Sequence, residues 1–150
     1  MKLITGTWNQ LQSSAAALRT AVFVREQGVP QELEWDAEDH SALHAVVLDD
    51  AGQALATGRL LHHEPGVARI GRMAVAMEWR GQGLGRRVLQ ALMQAARERG
   101  DRQVVLHAQT SARGFYQRAG FEPHGELFFE AGIEHIEMWA DLLQMSSRKG

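Results

Sequence analysis

The segment of the chain best suited to chemistry is a glycine-rich turn, residues 80–85, which read RGQGLG. A strand pattern precedes the turn and a helical pattern follows it. Glycine has no Cβ, so the backbone of such a turn can approach a ligand closely. The first N–H groups of the following helix lack partners inside the helix, and the helix dipole adds partial positive charge there. The turn is therefore suited to bind a phosphate group, and Arg80, Arg86 and Arg87 would add to the positive charge.

The spacing of the glycines disfavours two common nucleotide-binding motifs. A Walker A loop requires Lys followed by Ser or Thr after its second glycine, and that pair is absent here. The dinucleotide fingerprint is Gly-x-Gly-x-x-Gly, whereas these glycines fall at positions 81, 83 and 85. The alternative that remains is a tight strand-to-helix turn that binds nothing.

Composition places the chain among globular proteins of one domain. It has 150 residues, of which 45% are hydrophobic and 23% charged, and its formal net charge is −2. We expect a single domain over residues 1–145 and a loose tail over residues 146–150. The absence of cysteine excludes disulfides, thiolate metal sites and a cysteine nucleophile. The mixed charges lack the basic footprint of a nucleic-acid-binding protein.

The seven histidines do not form a metal-binding pattern. No His-Glu-x-x-His motif occurs, and the neighbours His62 and His63 would point to opposite faces of a strand. We therefore predict no metal. No apolar run is long enough to span a bilayer, and the first residues do not resemble a signal peptide. A cytoplasmic protein with no membrane contact is the expectation.

The pattern of the elements that must position the turn predicts an α/β fold. The order is a strand, a helix, antiparallel strands, and then strand–helix–strand–helix–strand–strand. It indicates a mixed, mostly antiparallel sheet of about six to seven strands, with flanking helices and one parallel crossover at its centre. We predict strands over residues 2–7, 44–48, 54–62, 67–77, 104–106, 124–130 and 133–140. We predict helices from Ser13 or Ser14 to about Gln27, from the turn to Gly100, and over 112–119.

An acidic stretch, residues 31–42, lies between the first helix and the second strand. It contains Glu32, Glu34, Asp36, Glu38 and Asp39, and its irregular pattern is typical of a surface loop that could border a site. Such a charge run is usually solvated. The alternative is that these carboxylates attract a cationic amine.

Two signature runs occur in a fixed order along the chain. The first is RMAV at residues 72–75, followed by Arg80-x-x-Gly83-x-Gly85 and a long helix. The second is ARGFYQRAGF at residues 112–121. Together they resemble the GNAT superfamily of acyl-CoA N-acyltransferases, and the strand pattern extends this resemblance over nearly the whole chain. Residues 18–27 and 132–138 also resemble its small bacterial ElaA-like branch.

The resemblance implies a coenzyme A site built from the turn and the strand before it. In this family, backbone N–H groups of the turn hold the pyrophosphate, and the pantetheine arm pairs with the strand. The strands ending near Met77 and Ala108 would splay apart to admit the cofactor, and Gly71 lies where a bulge could form. The residues so assigned to cofactor binding are Met73, Ala74, Val75, Arg80, Gly81, Gln82, Gly83, Leu84, Gly85, Arg86, Gln109 and Phe115.

The resemblance also implies direct attack of an amine on the thioester of acetyl-CoA. The backbone N–H near Val75 would stabilise the carbonyl oxygen, and Tyr116, the only tyrosine, stands where the family commonly places its acid. The alternative for Tyr116 is core packing beside Phe115. The general base is left open among Glu26, His107, Gln109, His135 and a water relay.

The function that follows is N-acetylation of a primary amine, a small molecule rather than a protein, by a monomer or homodimer. The alternative is a non-catalytic domain that binds or senses an acyl-CoA. The acceptor and the preferred acyl chain are not encoded in any motif of the chain, because this fold serves many acceptors.

Overall fold

Three antiparallel strands begin the fold in the computed structural model, which describes residues 1–34 and 36–143. Strand β1 (Lys2–Gly6) pairs with β2 (Leu43–Leu48), and β2 pairs with β3 (Ala54–Glu64). The middle of β2 is apolar and buried, because elements cover both of its faces. The register places Lys2 opposite Leu48, and Leu43 opposite Leu60.

Seven strands make one sheet, in the order β1-β2-β3-β4-β5-β7-β6. The later strands are β4 (Val67–Val75), β5 (Gln103–Gln109), β6 (Glu122–Glu130) and β7 (Ile133–Asp141). Strands β4 and β5 pair in parallel over the first three residues of each, while β5–β7 and β6–β7 are antiparallel. The predicted fold class, a mostly antiparallel α/β sheet with one parallel pair, is confirmed.

The first helix begins earlier than its sequence pattern indicated. Helix α1 spans Trp8–Arg19 and starts with a capping box, in which the Thr7 side chain accepts from Gln10 N and the Gln10 side chain accepts from Thr7 N. The prediction of a start at Ser13 or Ser14 is therefore wrong. The chain continues as a π-helix over Thr20–Glu26, a conformation that is frequent at functional sites.

Of the remaining three helices, the two longer ones follow the predicted pattern, whereas the short first one lies in the stretch 31–42 that was expected to be irregular. Helix α2 (Gln31–Glu34) is one turn, α3 spans Leu84–Glu98 and α4 spans Arg113–Arg118. Three residues spaced four apart in α3, Leu84, Val88 and Leu92, are buried and form its apolar stripe. Single turns of 3-10 helix occur at Ala37–His40, Met77–Trp79 and Thr110–Ala112.

Two compact units can be distinguished in the chain. One comprises residues 1–61 and 71–92, and the other comprises residues 62–70 with the chain from Met93 onward. We call them the first and the second unit. Among the described residues, no helix has the length and apolar character needed to cross a membrane. The tail predicted for residues 146–150 lies outside the described residues.

Candidate active site

The glycine turn of the first unit has the backbone conformation that its sequence required. Gly81 and Gly83 have φ of +79° and +82°, in the left-handed region that side chains disfavour. Gly85 lies within the first turn of α3, and the Arg87 N–H donates to the Gly83 carbonyl at 3.1 Å. The N–H groups between those two residues are the ones that a helix start leaves without internal partners.

The surface of this turn is open to a ligand. Gly81, Gln82, Gly83 and Arg86 are exposed, while Leu84 is buried and anchors the turn to the core. A Cβ added at Gly81 or Gly83 would meet no atom within 4 Å. The space in front of the turn can therefore accept an anionic group.

The end of β4 contains a strained residue. Arg72 has φ of +53°, the left-handed region, although it carries a long side chain and stands within a strand. The irregularity lies beside Gly71, where the sequence suggested a bulge. The next residues toward the turn are Met73, Ala74 and Val75. Ala74 packs in a cluster with Leu18 of α1 and with Val22 and Phe23 of the π-helix.

The Arg72 side chain is held by the end of α2 and by Asp36. Its Nε donates to the Glu34 carbonyl at 3.1 Å, and its Nη2 lies 3.3 Å from both the Leu33 carbonyl and Asp36 Oδ2. Several hydrogen bonds thus fix the side chain of the residue whose backbone is strained. Such strain persists only where the surroundings determine it strongly.

Glu26, a candidate general base, is engaged by Arg80. The two terminal nitrogens of Arg80 lie 2.6 and 2.7 Å from the two Glu26 carboxylate oxygens. The hydrogen bonds from Arg80 lower the pKa of Glu26, although burial opposes the shift. A carboxylate with a lowered pKa is a weaker base, so this geometry favours a structural role for Glu26.

Glu26 also stands on the wall of an open pocket of about 800 Å³ in the first unit. Leu18 of α1, Val22 of the π-helix, Ala76 and Met77 are among the apolar residues that line it.

The acidic stretch is not the solvated loop that the sequence indicated. Glu34 and Asp39 are each only 2% exposed, and they surround Arg19, which is 1% exposed. Arg19 donates to Asp39 Oδ1 at 2.7 Å, and its Nε pairs with Glu34 Oε1. The interpretation as a solvated loop is wrong because buried arginines on neighbouring elements neutralise these carboxylates.

Arg59 on β3 completes this buried ion network. It donates to Asp36 at 2.7 and 3.0 Å and to Asp39 at 2.9 Å. Burial raises the pKa of Asp39, but the hydrogen bonds and charges of Arg19 and Arg59 outweigh burial, and the pKa is lowered. Since Glu34, Asp36 and Asp39 are all paired, only Glu32 and Glu38 are left as exposed carboxylates of the stretch that could attract an amine.

Tyr116 lies on α4 in the second unit. It is 8% exposed and makes edge contacts with Phe115 and Phe121, at ring distances of 5.0 and 5.8 Å. Burial raises the pKa of its phenol well above the ordinary value. Tyr116 therefore stays protonated at neutral pH, as a proton donor must, and it also packs in the core.

The other candidates of the second unit lie on β5 and β7. Gln109 is opposite His135 in the β5–β7 register, and His107 is opposite Glu137. His135 is 8% exposed, its Nδ1–H donates to the Ile133 carbonyl at 2.7 Å, and its ring stacks on Phe128. These contacts are typical of a packed structural histidine.

His107 has a different environment, which the sequence pattern did not identify. Its Nδ1 lies 3.0 Å from Glu130 Oε2, and its Nε2 lies 3.7 Å from Glu137 Oε1. Glu130 and Glu137 come from β6 and β7, so only the pairing of these strands brings them to His107. Within residues 1–34 and 36–143, no three side chains of His, Asp or Glu are arranged to hold a metal ion.

The seven-stranded sheet with a glycine turn opening α3 defines an acyltransferase class of fold. A family model for the GNAT acetyltransferase domain matches residues 9–142. The chain belongs to the GNAT acetyltransferase family.

Similar proteins agree with this membership. The uncharacterised N-acetyltransferase YjcF of Bacillus subtilis (strain 168) is 33% identical over 142 residues, which cover 94% of this chain and 100% of that protein. An acyl-CoA N-acyltransferase from Pseudomonas aeruginosa is 34% identical with a TM-score of 0.82, covering 93% of this chain and 98% of that one. Escherichia coli ElaA is 27% identical with a TM-score of 0.83, covering 93% and 99%. The resemblance to the ElaA-like branch is therefore confirmed.

Proposed function

We propose that the protein is an N-acetyltransferase that transfers an acetyl group from acetyl-CoA to a primary amine by direct attack in a ternary complex. The observation that carries the proposal is the turn with left-handed Gly81 and Gly83 at the start of α3 in a chain of this family. The turn is exposed and free of side-chain bulk, as a pyrophosphate site requires.

The remaining cofactor residues are proposed in the positions that the family pattern implies. Backbone groups of Met73, Ala74 and Val75 would bind the pantetheine arm. Arg86 would add charge near the pyrophosphate. Gln109 and Phe115 are also proposed to contact the cofactor.

The proposed chemistry needs an N–H group that binds the thioester oxygen and an acid that protonates the departing sulfur. The N–H near Val75 would stabilise the negative charge that develops on the thioester oxygen. Tyr116 would donate a proton to the departing sulfur, because a buried phenol keeps its proton at neutral pH. The acceptor in this proposal is a small amine.

The proposal is tested by acetyl-CoA calorimetry on two variants of the turn, Gly83→Asn and Gly83→Asp. Asn and Asp tolerate positive φ better than other side chains and have the same size, so both variants should fold. They differ in charge alone. We expect Gly83→Asp to bind acetyl-CoA at least about tenfold more weakly than Gly83→Asn, because its carboxylate repels the pyrophosphate.

Two other results would contradict parts of the proposal. Equal affinities of the two variants for acetyl-CoA would show that the pyrophosphate does not bind at the turn. Binding by the unmodified protein, without acetylation of any amine in a broad panel, would favour the alternative function, an acyl-CoA-binding or sensing domain.

A further inference from the structure

One face of the β5–β7–β6 part of the sheet carries a row of titratable side chains. The register places His107 of β5 and His124 of β6 on either side of Glu137 of β7. Residues on the opposite face of these strands, such as Leu106 and Met138, are buried in the core. The side chains of His107 and Glu137 remain 28% and 34% exposed. A ligand can therefore reach the row.

Glu130 fixes the proton arrangement of His107. The carboxylate lies 3.0 Å from Nδ1, and the hydrogen bond from His107 lowers the pKa of Glu130, so that Glu130 is ionised at neutral pH. An ionised carboxylate can only accept, so Nδ1 carries the hydrogen. In the neutral ring, Nε2 then holds a lone pair.

This lone pair lies near a second acceptor. Nε2 is 3.7 Å from Glu137 Oε1, too far for a direct hydrogen bond. The other Glu137 oxygen accepts from Trp139 Nε1 at 2.8 Å, which holds the carboxylate in place. Two acceptors at this separation repel each other unless a donor lies between them. An ammonium nitrogen placed about 2.9 Å from each atom would satisfy both.

The charged surroundings favour a cation. The groups around His107 are the carboxylates Glu130 and Glu137, the histidines His124 and His135, and Arg69, whose charge acts on Glu130. The carboxylates outnumber the one permanent cation. The neighbouring ring of Phe128, 5.0 Å from that of His107, adds an apolar surface for a carbon chain.

We infer that this face binds the ammonium form of the acceptor between His107 Nε2 and Glu137 Oε1, and that His107 is the general base. The inference deepens the proposed N-acetyltransferase function and rests on it. His107 Nε2 takes one proton from the ammonium, and the resulting amine attacks the thioester carbonyl. The C–N bond forms and the C–S bond breaks. Tyr116 gives its proton to the departing sulfur and takes a second proton from the nitrogen in return. His107 then releases its proton to solvent.

The first test is histidine NMR of the CoA-bound protein, with the His107 signal assigned from a His107→Gln variant. The probes are butylammonium and, as a neutral molecule of similar size, 1-pentanol. We expect butylammonium to shift the His107 signal, since the ammonium would lie against Nε2. Pentanol should leave the signal unchanged. Glu137→Gln should abolish the response, whereas the control His62→Gln, at an exposed position of β3, should keep it. A His107 signal that ignores butylammonium would overturn the inference.

The second test is the pH profile of acetylation for the amine that the enzyme accepts best. His107→Gln should lower kcat by about a hundredfold and remove the acidic limb of the profile, because that limb reports loss of the base form. His62→Gln, at an exposed position of β3, should stay within about twofold of the unmodified enzyme, as surface changes away from the site do. A His107→Gln variant that keeps both rate and acidic limb would exclude His107 as the base.

Calorimetry with acetyl-CoA on the same samples distinguishes a failure of the proposed function from a failure of this inference alone. If acetyl-CoA does not bind, the proposed function fails and this inference fails with it. If acetyl-CoA binds and butylammonium leaves His107 unchanged, the inference alone is refuted.

Discussion

Glu26 and Arg80 form a bidentate ion pair although 54 residues separate them in the chain, with N–O distances of 2.6 and 2.7 Å. The same guanidinium donates through Nε to the Val75 carbonyl at 3.1 Å. Arg80 thus connects the end of the π-helix, the end of β4 and the first residue of the glycine turn. Its charge is already paired, so its role is to position the turn rather than to contact the pyrophosphate as a free cation.

Substitution of Arg80 by Lys distinguishes these two roles. Lysine keeps the charge but cannot form a bidentate pair. We expect Arg80→Lys to weaken acetyl-CoA binding as much as Arg80→Gln does, and Glu26→Gln to weaken it by a similar factor. The double variant Glu26→Gln/Arg80→Gln should be no worse than either single variant, since one pair is lost in each case. Calorimetry measures the four affinities. Full affinity in Arg80→Lys would instead indicate direct contact of the charge with the cofactor.

Because the backbone of Arg72 is strained, we expect the usual order of stability of glycine and alanine variants in a strand to be reversed at this position. In a strand, glycine is usually less stable than alanine by roughly 0.5–1 kcal/mol. At φ of +53°, alanine keeps the strain and glycine removes it. Both variants lose the contacts with Leu33, Glu34 and Asp36. We therefore expect Arg72→Gly to unfold at a higher urea concentration than Arg72→Ala, by about 1 kcal/mol in free energy of unfolding. The reverse order would show that the backbone relaxes without cost when the side chain is shortened.

The buried ion network predicts a loss of stability in acid. The pKa of Asp36 is lowered by hydrogen bonds from Arg59, and the pKa of Asp39 is lowered by Arg19 and Arg59 despite burial. A carboxyl group whose pKa is lower in the folded state stabilises the fold above its unfolded pKa, about 3.9 for Asp. This contribution is lost as the pH falls below that value toward the folded pKa.

Substitution within the network separates this effect from other acid-sensitive groups. Asp39→Asn leaves two buried arginines with less compensation, so it should lower the free energy of unfolding at pH 7 by about 3 kcal/mol. The free energy of unfolding of the variant should also fall less steeply below about pH 4, because the Asp39 carboxyl group that titrates there is gone. Asp50→Asn, at an exposed ion pair with the N-terminus, is the matched control and should change the free energy of unfolding by less than about 1 kcal/mol. Urea unfolding at several pH values measures both effects.

The sequence was informative wherever local chemistry determines structure. The glycine turn, the long helix that follows it and most of the strands depend on neighbours in the chain, and each was predicted from its own residues. The start of α1 could also have been predicted, because Thr7 and Gln10 have the spacing of a capping box. That signal was overlooked.

The remaining features depend on partners that are distant in the chain. Arg19 and Asp39 are each unremarkable in sequence, and only the packing of α1 against the segment after α2 buries them together. Glu130 reaches His107 because β7 lies between β5 and β6, with a register shift in β6 between His124 and Phe128. No periodicity encodes such a meeting. The candidate base could therefore be named as one of several residues, while its partners came from the structure alone.

Substitution of Tyr116 by Phe tests the proposed acid with little change in packing. The phenyl ring keeps the edge contacts with Phe115 and Phe121, so the free energy of unfolding should change by less than about 1 kcal/mol. Acetyl-CoA affinity should also be unchanged. We expect kcat to fall by about a hundredfold, because the departing sulfur loses its proton donor. The loss should be smaller for a thioester whose thiol is more acidic, such as acetylated thiophenol, since a weaker base needs less protonation. An equal loss for both thioesters would mean that Tyr116 supports the site by packing, and that the proton comes from another donor.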